Sequence, residues 1–129
     1  MEPVFLTLSD VLDIHTDQIR RYGGSPEIRD VGLLESALGM PMAGFGGEYL
    51  HSDIFEMAAA YLYHIVSNHP FMDGNKRTGA VSAMVFLILN GYQLECLEEE
   101  LEQLVLGIAK GLHPKHTAAD FLRRHGRES

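Results

Sequence analysis

The amino-acid sequence predicts an all-α protein, a compact helical bundle that one short Gly-rich loop or hairpin interrupts. Three observations support this fold class: apolar residues recur at helical spacing along most of the chain, capping residues and glycines delimit each run, and strand-like alternation is scarce. The chain has 129 residues, of which 46% are hydrophobic and 22% are charged, as is typical of a globular protein. We therefore predict a single domain over residues 1–129.

Two helices are predicted before the Gly-rich segment. Thr7 is the expected N-cap of the first, and Gly23-Gly24 is its expected end. Its apolar face contains Leu8, Val11, Leu12, His15, Ile19 and Tyr22. Asp30 is expected to cap a second, shorter helix. Residues 41–51 then break the helical pattern, and their three glycines predict an ordered loop or short hairpin.

Four further helices are predicted after this segment. Asp53 begins a long helix that ends near Asn68. The next helix, over residues 78–90, is apolar nearly all round, so we expect it at the centre of the domain. A fifth helix lies within residues 97–111, and Thr117 is expected to cap the last one. No sheet is predicted outside the Gly-rich loop.

Composition restricts the partners and the compartment. The 18 acidic and 10 basic side chains give a formal net charge of −8, which argues against direct contact with nucleic acid. Cys96 is the only cysteine, so neither an intramolecular disulfide nor a cysteine-based zinc site is expected. The longest apolar stretch, residues 83–89, is too short to cross a bilayer, and no secretory signal pattern is present. We expect a cytoplasmic protein that does not associate with membranes.

Residues 69–77 combine the groups that a phosphate-handling site requires. A turn that leads into a helix presents unpaired N–H groups and the positive end of the helix dipole to an anion. Asp73 is an oxygen ligand suited to Mg²⁺, and the imidazole of His69 is suited to a general base. The backbone of Gly74 can approach a phosphate closely, and Phe71 is expected to anchor the turn in the core. Further donors and positive charge come from Asn75, Lys76 and Arg77.

Two other site types fit this region less well. Gly74 and Gly79 have the glycine spacing of a P-loop, but Ala80-Val81 follows where Lys and Ser or Thr are required. His64 and His69 are five residues apart, which is not the spacing of metal ligands on adjacent helical turns. A structural zinc site is therefore not expected.

The segment resembles the common motif of the Fic (filamentation induced by cAMP) superfamily, and more closely its Doc (death on curing) branch. That motif reads His-Pro-Phe-x-x-Gly-Asn-Gly-Arg, with Asp or Glu before the first Gly. The matching residues here are His69-Pro70-Phe71, Asp73-Gly74-Asn75 and Arg77. Lys76 replaces the second Gly, which is a hallmark of the Doc branch. Other runs that resemble this branch occur in the same order along nearly the whole chain: residues 21–26, 32–38, 75–78 and 89–92.

The resemblance implies an all-helical Fic fold and a site that uses ATP and Mg²⁺. It assigns catalytic roles to His69, Asp73, Lys76 and Arg77, nucleotide binding to Gly74, Asn75, Lys76 and Arg77, and the metal to Asp73. In Fic relatives, the Gly-Asn-Gly nest holds the α and β phosphates, and AMP is attached to a target hydroxyl. A side chain at position 76 crowds that nest, which implies the Doc behaviour: ATP is turned round and its γ-phosphate is transferred.

The resemblance further implies a protein Ser/Thr kinase that is the toxin of a type II toxin–antitoxin system. The implied target is a threonine of elongation factor Tu, so that translation stops, and the implied partner is a Phd-like antitoxin. Residues 41–51 resemble the family flap, which pairs with an extended target segment and steers its hydroxyl to His69. Self-inhibited Fic proteins carry Ser/Thr-x-x-x-Glu followed by Gly or Asn. Here only Ser52 and Glu56 have that spacing, and Met57 follows, so inhibition is expected in trans.

Two alternatives stay open. One is a Fic-type transferase that attaches AMP to a protein hydroxyl, and the other is a non-catalytic binding module that keeps the fold. Lys76 favours the kinase over the AMP transferase, and the presence of every motif residue with a chemical role disfavours the binding module. Basic residues outside the motif, namely Arg20, Arg21 and Arg29, are expected at the solvated surface, and assistance with a phosphate or with the target is the alternative role for each.

Overall fold

The structure is a computed structural model, and it describes residues 2–129. Within that range the protein is a bundle of six α-helices with two small antiparallel strand pairs, which confirms the predicted fold class. The helices are α1 (Leu8–Tyr22), α2 (Val31–Gly39), α3 (Ile54–Asn68), α4 (Asn75–Leu89), α5 (Glu98–Ala109) and α6 (Lys115–His125). The strands are β1 (Gly44–Phe45), β2 (Glu48–Tyr49), β3 (Tyr92–Leu94) and β4 (Gly126–Glu128).

Side-chain caps determine where the first three helices begin. Thr7 and Asp10 form a reciprocal capping box at α1, in which each side chain accepts a hydrogen bond from the other residue's N–H. The side chains of Asp30 and Asp53 cap α2 and α3 in the predicted manner. Each such cap stabilises its helix by about 1 kcal/mol. The predicted N-caps of α1 and α2 are confirmed, and so is the predicted start of α3 at Asp53.

The centre of the domain is α3, which packs against α2, α4, α5 and α6. Its residues 57–62 are all buried, so this part of the helix is surrounded on every face. The prediction that α4 would be central is wrong, because α4 leaves Ile88 and Leu89 exposed near its carboxyl end. Three consecutive alanines, residues 58–60, are fully buried, and their small side chains are compatible with close packing around α3.

Helices α3 and α4 make a close contact at Gly79. A Cβ atom on this residue would lie 2.9 Å from Cγ2 of Val66 and 3.3 Å from the carbonyl oxygen of Leu62. Glycine is therefore required for the packing of the two helices that flank the candidate site. This packing role accounts for Gly79 without a P-loop.

The two strand pairs differ in how well the sequence predicts them. The hairpin of β1 and β2 confirms the prediction for the Gly-rich segment, and its turn residues Gly46 and Gly47 have φ values of 62° and 84°. Positive φ at both positions is the requirement of a two-residue type I′ turn. The pairing of β3 with β4 was not predicted. Three-residue strands are too short to show the alternation by which strands are identified.

The last helix begins earlier than predicted. Thr117 was expected to be its N-cap, but α6 starts at Lys115, with Pro114 in the N-cap position. The N–H of Thr117 donates to the carbonyl oxygen of Pro114 at 3.1 Å, which places Thr117 inside the first turn. Because proline has a fixed φ and no N–H, it begins this helix without a side-chain cap.

Both ends of the described chain are attached at the turn between α4 and β3. The Asn90 amide accepts a hydrogen bond from the N–H of Val4 at 2.8 Å and donates one to its carbonyl oxygen at 2.9 Å. The N–H of Ser129 donates to the carbonyl oxygen of Gly91 at 3.0 Å. The predicted helix end at Asn90-Gly91 is thus also the point where the two ends of the chain meet. None of the described helices has the length and apolar character that crossing a bilayer requires.

Candidate active site

The candidate site lies in the loop between α3 and α4 and in the first turn of α4. His69 ends α3 with φ 54° and ψ 52°, the left-handed conformation. It is the only residue other than glycine with a positive φ in the part of the chain that the structure describes. This conformation costs about 1 kcal/mol for a residue with a side chain, so surrounding contacts have to maintain it. The resulting turn leaves the His69 side chain exposed to solvent.

Arg29 stabilises the turn at His69. Its Nε donates to the carbonyl oxygen of His69 at 2.6 Å, and its Nη2 donates to that of Asn68 at 3.0 Å. Its own N–H donates to the carbonyl oxygen of Pro70 at 2.7 Å. A cation at the carboxyl end of α3 also interacts favourably with the helix dipole. Arg29 is exposed, as predicted, but it positions the backbone of His69 rather than only facing solvent.

The side chain of Asn75 joins His69 to the loop that follows. Its Oδ1 accepts from the N–H of Phe71 at 2.9 Å, and its Nδ2 donates to the carbonyl oxygen of Phe71 at 2.9 Å, which fixes the orientation of the amide. Its Nδ2 also lies 3.1 Å from Nδ1 of His69. In that contact Nδ1 is the acceptor, so the neutral His69 ring carries its proton on Nε2.

This network also limits how Asn75 can contact a phosphate. The sequence suggested a side-chain donor, but the residue is 4% exposed and both N–H groups of its amide already have partners. The backbone N–H of Asn75 is therefore the group that can face a phosphate.

Phe71 anchors the loop in the core, as predicted. It is fully buried, and its ring stacks on the ring of His15 with centroids 3.7 Å apart and planes 8° apart. Nε2 of His15 lies 2.8 Å from the carbonyl oxygen of Asp73. The predicted core histidine of α1 therefore also holds the backbone of the loop.

Asp73 is oriented by the segment that follows α1. Its Oδ2 accepts from the N–H of Ser25 at 2.8 Å, and Gly24 packs so closely that a Cβ there would lie 3.0 Å from Cβ of Asp73. Its other carboxylate oxygen accepts no hydrogen bond from the described residues, and the side chain is exposed. Residues 2–129 contain no group of three or more His, Cys, Asp or Glu side chains placed to hold a metal. The arrangement fits Mg²⁺ held by one carboxylate and completed by water and substrate oxygens.

The amino end of α4 has the features of an anion site. Gly74 is its N-cap, with φ 81° and ψ 16°, and no side chain caps the helix. The first turn contains no acidic residue, so the unpaired N–H groups of residues 75–77 and the positive end of the dipole are not neutralised by a side chain of this turn. Lys76 is exposed. Arg77 donates from Nη2 to the carbonyl oxygen of Gly23 at 3.1 Å, and its guanidinium lies 5.1 Å from the centre of the Tyr22 ring.

The predicted site residues all lie within residues 69–77. The structure adds four supporting residues that were not assigned to the site from the sequence. These residues come from α1 and the segment after it: His15, Tyr22, Ser25 and Arg29. For Tyr22 and Ser25 the available signal was the run over residues 21–26, which resembled the Doc branch but carried no assigned role. His15 was predicted only as a core histidine. Three of these residues contact the site through side chains, but their partners, like the N–H of Ser25, are mostly backbone groups that have no sequence motif.

Comparison with protein-family models matches residues 5–87 to the Fic/DOC family. The chain belongs to the Fic/DOC family. The match includes α1, the β1–β2 hairpin, α3 and the loop that contains His69.

For this Fic/DOC protein, two curated relatives support the predicted resemblance to the Doc branch. It is 38% identical to "Protein kinase doc" of Escherichia phage P1 over 115 residues, 89% of this chain and 90% of that protein. It is 39% identical to "Toxin Doc" of Mycolicibacterium smegmatis over 82 residues, 64% of this chain and 63% of that protein.

Glu56 is the glutamate of this Fic/DOC protein that has the spacing of the self-inhibitory motif, so its distance from the candidate site matters. Its carboxylate accepts hydrogen bonds from the N–H and the hydroxyl of Ser52, at 3.1 Å and 2.8 Å. Glu56 lies in the first turn of α3, whereas His69 lies at the carboxyl end of the same 15-residue helix, about 20 Å away. The glutamate with inhibitory spacing is therefore remote from the candidate site.

Proposed function

We propose that this Fic/DOC protein is the toxin of a type II toxin–antitoxin system and that it transfers the γ-phosphate of ATP to a hydroxyl of a translation protein. A threonine of elongation factor Tu is the proposed target, and a Phd-like antitoxin is the proposed cytoplasmic partner. One observation carries the proposal: a single loop presents an exposed imidazole, an open carboxylate and an uncapped helix amino end. The names of the two relatives, a protein kinase and a toxin, agree with it.

His69 is the proposed general base for the acceptor hydroxyl. With Nδ1 accepting from Asn75, the neutral ring holds its proton on Nε2, so Nε2 has no free lone pair with which to accept the proton of the hydroxyl. The base role therefore requires the ring to leave Asn75 and to move its proton to Nδ1 before the hydroxyl is deprotonated. The exposed position of the ring permits this exchange with solvent.

The amino end of α4 is the proposed phosphate site. The N–H groups of residues 75–77 and the Arg77 guanidinium would bind phosphate oxygens, and Asp73 would hold Mg²⁺ through its open carboxylate oxygen. When bound, Mg²⁺ neutralises charge on the phosphates, as in phosphoryl transfer generally. The contacts of Asp73 with Ser25 and of Arg77 with Gly23 hold both side chains before substrate arrives.

Labelled ATP distinguishes the kinase from the AMP transferase. The protein is incubated with cell lysate and with ATP that carries the label at the γ or at the α phosphate. We expect protein labelling from the γ position only, dependent on Mg²⁺. Labelling from the α position would establish AMP transfer instead, and labelling from neither would support a binding module without catalysis.

Two variants serve as controls for this assay. His69→Ala is expected to lower transfer by about 10²- to 10⁴-fold, the usual contribution of a positioned base. Asp73→Asn removes the charge that holds Mg²⁺ and keeps the size of the side chain, so transfer is expected to collapse. Full transfer by a folded His69→Ala protein would remove the base assignment, and full transfer by Asp73→Asn at low Mg²⁺ would place the metal elsewhere.

A further inference from the structure

A second cluster of titratable side chains lies outside the candidate site. Nζ of Lys115 is 3.2 Å from Nε2 of His51 and 2.9 Å from Nε2 of His64. His51 follows the β1–β2 hairpin, His64 belongs to α3, and Lys115 is the first residue of α6, so three separate elements meet here. The proposed phosphoryl transfer uses none of the three residues.

The surroundings of Lys115 disfavour its charged form. No carboxylate in residues 2–129 forms an ion pair with it. Glu56, whose charge acts on His51, is engaged by Ser52 and lies 3.7 Å from the guanidinium of Arg123. Lys115 also stands at the positive end of the α6 dipole, in a first turn without acidic residues. Burial lowers the pKa of Lys115 further.

The hydrogen bonds of His51 independently favour an uncharged amine. The residue is 6% exposed, and its buried Nδ1 has no hydrogen-bond partner among the described residues. If Lys115 were an ammonium, Nε2 of His51 would accept from it, and the ring proton would lie on Nδ1 as a buried donor without an acceptor. If Lys115 is a free amine, the proton can lie on Nε2 and donate to the amine. Unsatisfied buried donors are rarer than unsatisfied acceptors, which favours the second state.

His64 provides a base beside this amine. Burial lowers the pKa of His64 below its usual value, so its ring is neutral at physiological pH. A nucleophile and a base within hydrogen-bond reach form the usual arrangement for activating a side chain. At 2.9 Å, Nε2 of His64 is close enough to take a proton from Nζ.

We propose that Lys115 is a reactive amine that acyl phosphates acylate, with His64 as its base. The Nζ lone pair, once it no longer accepts a hydrogen bond from Nε2 of His51, attacks the acyl carbon and forms an N–C bond. The bond between the acyl carbon and the phosphate oxygen breaks, and phosphate leaves with the electron pair. The proton that Nζ loses passes to Nε2 of His64. The product is a neutral amide with one N–H, so an acylated Lys115 can donate to only one of the two imidazoles.

The experiment uses the folded chain, acetyl phosphate at pH 7.5 and peptide mass spectrometry that resolves each lysine. The chain contains only three lysines, and exposed Lys110 is the internal reference for Lys115. Each unit by which a pKa is lowered gives about tenfold more free amine, and lower nucleophilicity offsets part of this gain. We expect Lys115 to be acetylated about three to ten times faster than Lys110. An equal or slower rate would overturn the proposal.

Two further measurements show whether the rate at Lys115 depends on the folded structure or only on the residues next to it in the sequence. In urea, the advantage of Lys115 is expected to disappear; an advantage that persisted would be due to the neighbouring residues in the chain and would overturn the proposal. His64→Gln removes the base and keeps a hydrogen-bonding side chain, so it is expected to slow acetylation of Lys115 several-fold while the rate at Lys110 is unchanged. An unchanged rate at Lys115 in that variant, with the fold verified by circular dichroism, would overturn the role of His64.

Discussion

His69 owes its position to residues that make no proposed contact with substrate. Arg29 binds the carbonyl oxygens at the end of α3, Asn75 holds the ring nitrogen, and Phe71 fixes the loop on the ring of His15. The motif in the sequence supplies the reactive groups, and these supporting contacts determine where the groups point. Substitution of a supporting residue should therefore affect turnover more than nucleotide binding.

Arg29→Gln tests this separation. The variant removes the charge and the two-pronged contact with the carbonyl oxygens of Asn68 and His69. We expect transfer of the γ-phosphate to fall about tenfold in kcat while the KM for ATP stays unchanged. Arg29→Lys is expected to restore little, because an ammonium lacks the planar fork that reaches two acceptors. Arg20→Ala is the matched exposed control. A rise in the KM for ATP with kcat unchanged would contradict a positioning role.

Lys76→Gly tests what determines the orientation of ATP. If the side chain at position 76 crowds the phosphate nest, its removal should abolish γ-phosphate transfer and permit some AMP transfer. Lys76→Ala removes the charge but keeps Cβ, and so it separates the loss of charge from the loss of volume. Mass spectrometry of the modified target distinguishes a phosphate from an AMP adduct. Unchanged γ-phosphate transfer by both variants would show that Lys76 does not control the reaction.

The helices show how far local sequence determines this fold. Aspartate and threonine caps, apolar spacing and terminal glycines predicted the six helices and the hairpin, because each of these signals acts within a few residues of chain. The start of α6, the β3–β4 pair and the central position of α3 were not predicted. Pro114 replaced the expected Thr117 cap, and the strands pair residues more than 30 positions apart.

The same limit applies to the candidate site. Its reactive residues are contiguous and were predicted together, whereas the contact of Arg29 with His69 spans 40 residues and that of Ser25 with Asp73 spans 48. Contacts between residues so far apart in the sequence depend on how α1 and α2 pack against the α3–α4 loop. No periodicity within one element can show them.

The hairpin supplies a prediction for recognition of the protein target. Phe45 is 93% exposed beside the turn, so it contributes little to folding and is free to contact another chain. We expect Phe45→Ser to raise the KM for the protein target several-fold without changing the KM for ATP or the melting temperature. Leu112→Ser changes an apolar side chain that is 69% exposed between α5 and α6, and it is the control. Equal effects of the two variants would remove the hairpin from target recognition.

The candidate site and the cluster of Lys115 with two histidines both lie next to α3. The carboxyl end of this helix carries the candidate site, and His64 within it contacts Lys115 of α6 and lies near His51. The net charge of −8 gives the remaining surface an acidic character. Because burial lowers the pKa of His51 and of His64, protonation of these two rings lowers the stability of the folded chain.

Stability is expected to fall as the pH decreases from about 6.5 towards 4. Burial lowers the pKa of His64 to about 4 and also lowers that of His51, so the unfolded chain binds more protons than the folded chain in this window. The stabilisation is thus present above pH 6.5 and lost below it. Because His64 is only half-buried, we expect it to account for about 1 kcal/mol, or about 4 °C in Tm.

Thermal unfolding of His64→Gln and the unmodified protein at pH 7.5 and 5 measures this contribution. The variant should lose about 4 °C less than the unmodified protein between the two pH values. His116→Gln removes an exposed histidine of the same helix as Lys115 and is the control. Identical pH dependence in His64→Gln and the unmodified protein would contradict the assignment.

The attachment of Val4 to Asn90 and of Ser129 to Gly91 makes the folded backbone nearly a closed ring. A short flexible linker could join the two ends directly, and a new opening could then be made in the exposed turn at Gly111 and Leu112. Such a circular permutant would keep every helix and both strand pairs, since the opening affects only the two backbone hydrogen bonds that close α5, from Gly111 to Ile108 and from Leu112 to Gly107. The order of the helices along the chain would change, while their arrangement around α3 would stay the same.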